Sequence, residues 1–170
     1  IDDINPAGLG FQDAVNAGVT TVNTGPGSGN VVGGQFAAVK TAGSIVLDER
    51  LIKEPTAKKM ATGENPKRVY GQRGQMPSTR MGSMKVLRST FQKAVEKQRQ
   101  YEKYRRKLAK WKSKSDEKRG DRPQPPSRSL GLENLIGVME GDLLLHVHCY
   151  RADEIVQFLE LADAYDFEIR

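Results

Sequence analysis

A chain of 170 residues, 37% hydrophobic and 28% charged, is large and apolar enough to bury a core, so a wholly disordered chain is excluded. No stretch approaches the roughly 18 consecutive apolar residues of a membrane-spanning helix, and Ile1-Asp2-Asp3 lack the basic start of a leader, so neither is expected. The net charge of +6 is local, because residues 85–122 hold 15 Lys/Arg against 5 Asp/Glu and the other positions together are acidic.

Along the chain, Leu9, Phe11, Ala14 and Val15 space as one face of a short helix that Gly18 stops, and Val19-Thr20-Thr21-Val22 follows as a strand. Ile45-Val46-Leu47 and Thr56–Gly63 are weaker strand candidates, the second closed by the turn-like Gly63-Glu64-Asn65-Pro66. Leu87, Ala94, Tyr101 and Leu108 fall seven apart, with Phe91, Tyr104 and Trp111 along the same stripe, which predicts a long amphipathic helix. Pro123, Pro125 and Pro126 mark the polar linker Ser115–Arg128 that ends it. The first grammar then returns. Leu132, Leu135, Ile136 and Met139 share a helical face, Gly141 stops it, Leu143–Cys149 reads as a strand, and Ile155, Phe158, Leu159 and Ala162 mark a further helix before the extended Phe167-Glu168-Ile169.

Helices alternating with short apolar strands argue for an α/β domain on a parallel sheet whose faces the crossover helices bury. Cys149, the single cysteine, supports neither a disulfide framework nor a cysteine-rich metal site, and a reducing, cytoplasmic compartment is expected. The chain opens on Ile1 and stops at Arg170 after an apolar restart, so it reads as a piece of a longer protein.

Three stretches could carry chemistry. The glycine-rich run Thr24–Gln35 follows a strand, where phosphate loops sit. It lacks G-x-G-x-x-G spacing, because Asn30 stands where the third glycine would be, and Gln35 follows Gly34 where a P-loop has lysine. A tight structural loop, or one lining another kind of site, fits it better. On the strand Leu143–Cys149, alternation puts His146 and His148 on one face with Leu144 and Tyr150. These are the chain's two histidines, and such a pair at a strand's carboxyl end suits metal ligation as well as a hydrogen-bonded, partly buried role. Glu64 is either a solvated loop residue or an oxygen ligand and acid/base group at a strand end. The cations of the long helix, interspersed with Glu96 and Glu102, read as a solvated face or interaction arm, and no grammar of specific nucleic-acid recognition accompanies them.

Taken together, Ala17–Val22, Thr24-Gly25-Pro26-Gly27-Ser28 with Gly33-Gly34-Gln35, Gly63-Glu64-Asn65-Pro66-Lys67, Pro77-Ser78-Thr79-Arg80-Met81-Gly82 and His148 with Arg151-Ala152-Asp153-Glu154-Ile155 resemble the metal-dependent amidohydrolase superfamily, most closely its imidazolonepropionase-related branch. The resemblance covers nearly the whole chain apart from the basic helix and linker.

It implies a (β/α)8 TIM barrel that hydrolyses amide or related C–N bonds of a small molecule with one or two divalent metals, usually zinc. This chain would supply about strands 2 to 5: early βα units at 1–82, an inserted basic helix with a Pro-rich linker at 83–128, and the fifth-strand unit at 129–170. His148 matches the family's fifth-strand metal ligand, and Glu64 its third-strand acidic ligand. Lys58 or Lys59 would be an alternative carboxylated lysine. His146 is not assigned as a ligand; with Gly27, Asn30, Gln35, Arg80, Tyr150 and Arg151 it is expected to line the site. The catalytic aspartate would lie beyond Arg170, and no first-strand His-x-His occurs in the chain, so these residues on their own are expected to be inactive. Half a barrel would leave sheet edges open to self-association. An α/β binding or scaffold domain whose basic helix engages acidic partners or RNA is the alternative reading.

Overall fold

The computed structural model describes residues 3–169. Its elements, in chain order, are α1 (Leu9–Asn16), β1 (Thr21–Thr24), β2 (Val32–Lys40), β3 (Leu51–Ala61), α2 (Glu64–Gly71), α3 (Arg80–Lys112), α4 (Leu130–Met139), β4 (Leu144–His148) and α5 (Ala152–Tyr165), with short 3-10 turns at Leu47–Glu49 and Asp116–Lys118. The four strands form one sheet in the order β1-β2-β3-β4.

The sheet departs from the all-parallel expectation. β1 and β2 are antiparallel, as are β2 and β3, and parallel pairing occurs between β3 and β4. The reason lies in the connections. The glycine run between β1 and β2 is short enough to make a hairpin, whereas the path from β3 to β4 passes through α2, α3 and α4, and only a long crossover brings strands together in parallel. No helix follows the glycine run directly, so the N-terminal cradle that a phosphate loop requires is not built there. Ile45-Val46-Leu47 is not a strand: Ile45 and Val46 are exposed and Leu47 opens a 3-10 turn. The Gly63–Pro66 turn opens α2 instead, with Pro66 buried in the first helical turn, where its missing N–H leaves nothing unpaired.

Both glycine stops are realised. Gly18 takes φ 77°, with its N–H on Val15 O (2.9 Å) and that of Val19 on Ala14 O (2.8 Å), the paired bonds of a Schellman end. Gly141, at φ 80°, closes α4 in the same way through Asp142 N–H on Gly137 O (2.9 Å). α3 begins at Thr79, whose hydroxyl accepts the Gly82 N–H at 3.0 Å.

The core lies where α3, α4 and α5 pack on one face of the sheet. Leu87, Phe91 and Ala94 of α3, Leu135 and Val138 of α4, Phe158 and Leu161 of α5, and Met60 and Leu145 of the strands are among its buried residues. The first half of α3, read from sequence as part of an insertion, is thus core, and its second half carries no buried side chain beyond Lys97. Lys97 is 9% exposed and gives its ammonium to Ser127 O at 2.8 Å, which pins the linker back along the helix. At the far end the Trp111 indole N–H donates to Gly120 O at 2.7 Å. No helix among the described residues is long and apolar enough to cross a membrane.

Candidate functional site

The sheet face away from the helices carries the candidate chemistry. Parallel register sets Lys59 beside His146 and Ala61 beside His148. Residues at alternate positions, Lys58, Met60, Leu145 and Val147, belong to the other face, where Met60 and Leu145 enter the core. The strand alternation expected for His146 and His148 is therefore present: Leu144 and His146 are exposed, and Leu145 between them is 3% exposed.

His146 stacks on Phe36 of β2, ring centroids 4.6 Å apart and the planes 2° from parallel. The Lys59 ammonium lies 5.9 Å from the same Phe36 ring. Phe36 can sit there because Gly25 has no side chain; a Cβ at Gly25 would meet the ring at 2.6 Å. Partial burial, then the charges of Lys59 and His148, hold the His146 imidazole below its ordinary pKa, so it favours the neutral form. Burial lowers Lys59 in the same direction, and lowers Lys58 on the opposite face.

His148 ends β4, its carbonyl accepting the Thr62 N–H at 2.9 Å. Its Nε2 lies 3.0 Å from the Asn65 side-chain amide, and Tyr150 stands edge-on to its ring at 4.6 Å. With the Asn65 NH2 as donor, Nε2 is the acceptor and the proton resides on Nδ1. The site thus sits at the carboxyl ends of β3 and β4, bounded by the turn into α2 and the loop into α5.

The other sequence-predicted residues are distributed as follows. Glu64 opens α2 as an exposed residue, and its neighbour Asn65 is the one in contact with His148. Of the two lysines, Lys59 lies on the His148 face and Lys58 does not. Gln35 turns to the helix side and donates to Asn134 Oδ1 of α4 at 2.9 Å. Gly27 and Asn30 are exposed in the hairpin loop, where Asn30 Oδ1 accepts the Tyr70 hydroxyl at 2.5 Å. Arg151 donates to Asp153 at 2.8 Å, and Arg80 pairs with Glu154 at 2.8 Å on the helix side of the strand ends. Asn65, Phe36 and Glu154 are the residues that spacing did not single out. Asn65 and Glu154 stand inside the motifs quoted for the family, but neither strand nor helix periodicity distinguishes them from their neighbours.

An imidazole and a carboxylate are suitable donors for a divalent metal of borderline softness. Among the described residues, however, no three of His, Cys, Asp and Glu come together as a metal-holding group. The described residues do not by themselves make a metal centre.

No family model matches the chain. It is 28% identical, over its whole length, to an amidohydrolase, tasK, of Hapsidospora irregularis, of which the match spans 18%. It is also similar to a crystallised amidohydrolase from Thermotoga maritima, with 35% identity and a TM-score of 0.81 over 99% of this chain and 40% of that one. The chain resembles part of an amidohydrolase. It spans less than half the length of each relative, and shares its fold with the matching part of the Thermotoga maritima structure.

Proposed function

We propose that this chain is the portion of an amide-bond hydrolase that contributes His148 to the reaction centre. The observation that carries the reading is the likeness to the Thermotoga maritima amidohydrolase across 99% of the chain, together with an imidazole placed at the carboxyl end of the parallel pair β3/β4. In parallel α/β architectures that end is where reacting groups collect, because loops from several strands converge there. The finer reading has three parts. The parallel pair β3/β4 supplies two neighbouring strands of a (β/α)8 barrel, with the antiparallel β1 and β2 outside its regular βα order instead of serving as strands 2 and 3, the branch is the imidazolonepropionase-related one, and the substrate is a small molecule with an amide, dipeptide or cyclic C–N bond.

A divalent metal, zinc in the first instance, belongs to the proposal as a group that His148 would help to hold in exchange for its Asn65 contact, with Glu64 or a carboxylated Lys59 as the further candidate ligand. When bound it would supply a polarising charge and an activated water. The chain's own residues do less. Asn65 fixes which imidazole nitrogen carries the proton, and Tyr150 and the strand end fix where the ring lies. Phe36 and His146 stack on one another two residues along the same strand face.

Hydrolysis of a panel of N-acyl amides, dipeptides and cyclic amides, measured on the protein that carries this chain, tests the reading. Activity on one of these classes, and bound divalent metal that falls on His148→Ala, is the expected result. A folded protein without amide hydrolysis and without metal would overturn it.

A further inference from the structure

Two motifs lie apart from the His148 contacts: Pro77-Ser78-Thr79-Arg80-Met81-Gly82 at the start of α3 and Arg151-Ala152-Asp153-Glu154-Ile155 at the start of α5. The structure joins them. Arg80 Nη1 meets Glu154 Oε1 at 2.8 Å, with the Glu154 side chain 3% exposed and that of Arg80 40% exposed. The carboxylate lies against the backbone of Gly63, where a Cβ would stand 3.2 Å from Oε2 and 3.3 Å from Oε1. Gly63 itself holds φ 79°, a conformation that side-chain-bearing residues rarely adopt. One carboxylate therefore touches three chain segments that arrive from different parts of the sequence: the end of β3, the start of α3 and the start of α5.

Stability does not explain this arrangement. Glu154 Oε2 is buried without a hydrogen-bond partner among the described residues, as is Thr62 Oγ1 one residue before Gly63. With Arg80 half exposed the pair gains little over solvent-exposed ion pairs, while the buried, unmatched Glu154 acceptor costs free energy. Pairs of this kind are retained in some proteins because they select one arrangement over its near alternatives. The arrangement selected here is visible two residues on. Gly63 is the N-cap of α2, and Asn65 in that first turn faces His148 Nε2 at 3.0 Å. Thr62 N–H, on the other side of Gly63, is bonded to the His148 carbonyl at 2.9 Å. The strand-end turn is thus fastened to His148 at two points, and the Glu154 carboxylate bears on the glycine between them.

We infer that the Arg80–Glu154 pair is a positioning device: it holds the Gly63 turn so that the Asn65 amide and the Thr62 N–H together fix where the His148 ring lies, with Nε2 accepting from Asn65. The inference deepens the proposed function, since it rests on the reading that His148 is the working imidazole. It accounts for both motifs at once. It also fits the glycine at position 63, where φ 79° disfavours any side chain and a Cβ would crowd the carboxylate by a few tenths of an ångström.

The test is nitrogen NMR of the 170-residue chain with 15N-labelled histidine, at a pH where both imidazoles are neutral. The chain has two histidines, so His146→Gln assigns the signals. In the unsubstituted chain His148 shows the Nδ1–H pattern, and Asn65→Ala abolishes it. Glu154→Gln and Arg80→Gln, which leave Asn65 and His148 in place, are both expected to lose that pattern while the His146 signals stay where they were. Arg80→Lys, which keeps a cation at the carboxylate, is expected to recover part of it. Arg80 is the more exposed partner, so its variants remain informative if Glu154→Gln does not fold. A His148 pattern unchanged in a folded Arg80→Gln chain overturns the positioning role, whatever Asn65→Ala does. An absence of hydrolysis in the unsubstituted protein would count against the proposed function instead, and the NMR result does not depend on it.

Discussion

Glu133 shows how far one side chain can be set by its neighbours. Its carboxylate takes the Arg128 guanidinium, the Tyr101 hydroxyl at 2.8 Å and the Ser129 N–H at 3.1 Å, so it closes the end of the linker onto both α3 and α4. Those partners, Arg128 first and Tyr101 second, hold its pKa down to about 2 from an ordinary 4.5. A carboxylate depressed in the folded state stabilises it fully above the unfolded value, and that contribution is lost as the pH falls from about 4.5 to about 2. Urea midpoints measured between pH 5 and 2 should therefore fall more steeply for the unsubstituted chain than for Glu133→Gln. Parallel slopes would show that the cluster is not linked to folding. At this scale the sequence was informative about residue types and poor about contacts. The pairing of His146 and His148 on one face follows from alternation, but the Phe36 stack and the Asn65 contact depend on β2 and α2, which arrive from elsewhere in the chain.

Among the elements, α3 contributes most to the packing of the core. Its 33 residues extend about 50 Å at 1.5 Å per residue, whereas the 10 residues of α4 extend about 15 Å, so α4 can cover only part of its length. Burial is confined to the half that α4 and the C-terminal residues Tyr165 and Phe167 cover: Met84, Leu87, Phe91, Ala94 and Lys97 are buried, and the stripe continued by Tyr101, Tyr104, Leu108 and Trp111 is covered only in part. Phe91 is fully buried and stacks on Phe167 with centroids 5.0 Å apart, tying the end of the described chain to the helix. Phe91→Ala should cost about 3–5 kcal/mol, read as a lowered denaturation midpoint. Leu108→Ala, beyond the reach of α4, should cost far less. Equal losses would contradict this division of the helix. The helix and its period were legible in the spacing of Leu87, Ala94 and Tyr101, and the stops at Gly18 and Gly141 in the glycines themselves. α2 was not, because Asn65-Pro66 reads as a turn until the first helical turn is seen to accept the proline. Ile45-Val46-Leu47 misled because an apolar triplet on an exposed loop looks like a short strand.

Over the whole molecule, the sheet has two borders, β1 and β4, each paired on one side among the described residues. Leu144 of β4 and Ile155, Val156 and Leu159 of α5 are exposed together with the β4 border. Unpaired backbone next to exposed apolar side chains favours association. Sedimentation of the isolated 170-residue chain should accordingly show concentration-dependent self-association that weakens on Leu144→Lys; a monomer across the full concentration range would contradict this. The α/β class was legible from the alternation of elements, and strand direction was not, because hairpin and crossover connections are told apart by partners rather than by the strands' own residues. The central claim is that His148 serves amide hydrolysis. Turnover of an amide substrate by His148→Ala, set beside His146→Ala in the protein that carries this chain, tests it most directly. The account predicts a loss of at least about 100-fold for His148→Ala, since supporting groups alone are worth roughly 10–100-fold, and a much smaller loss for His146→Ala. Unchanged turnover in a folded His148→Ala protein would contradict it.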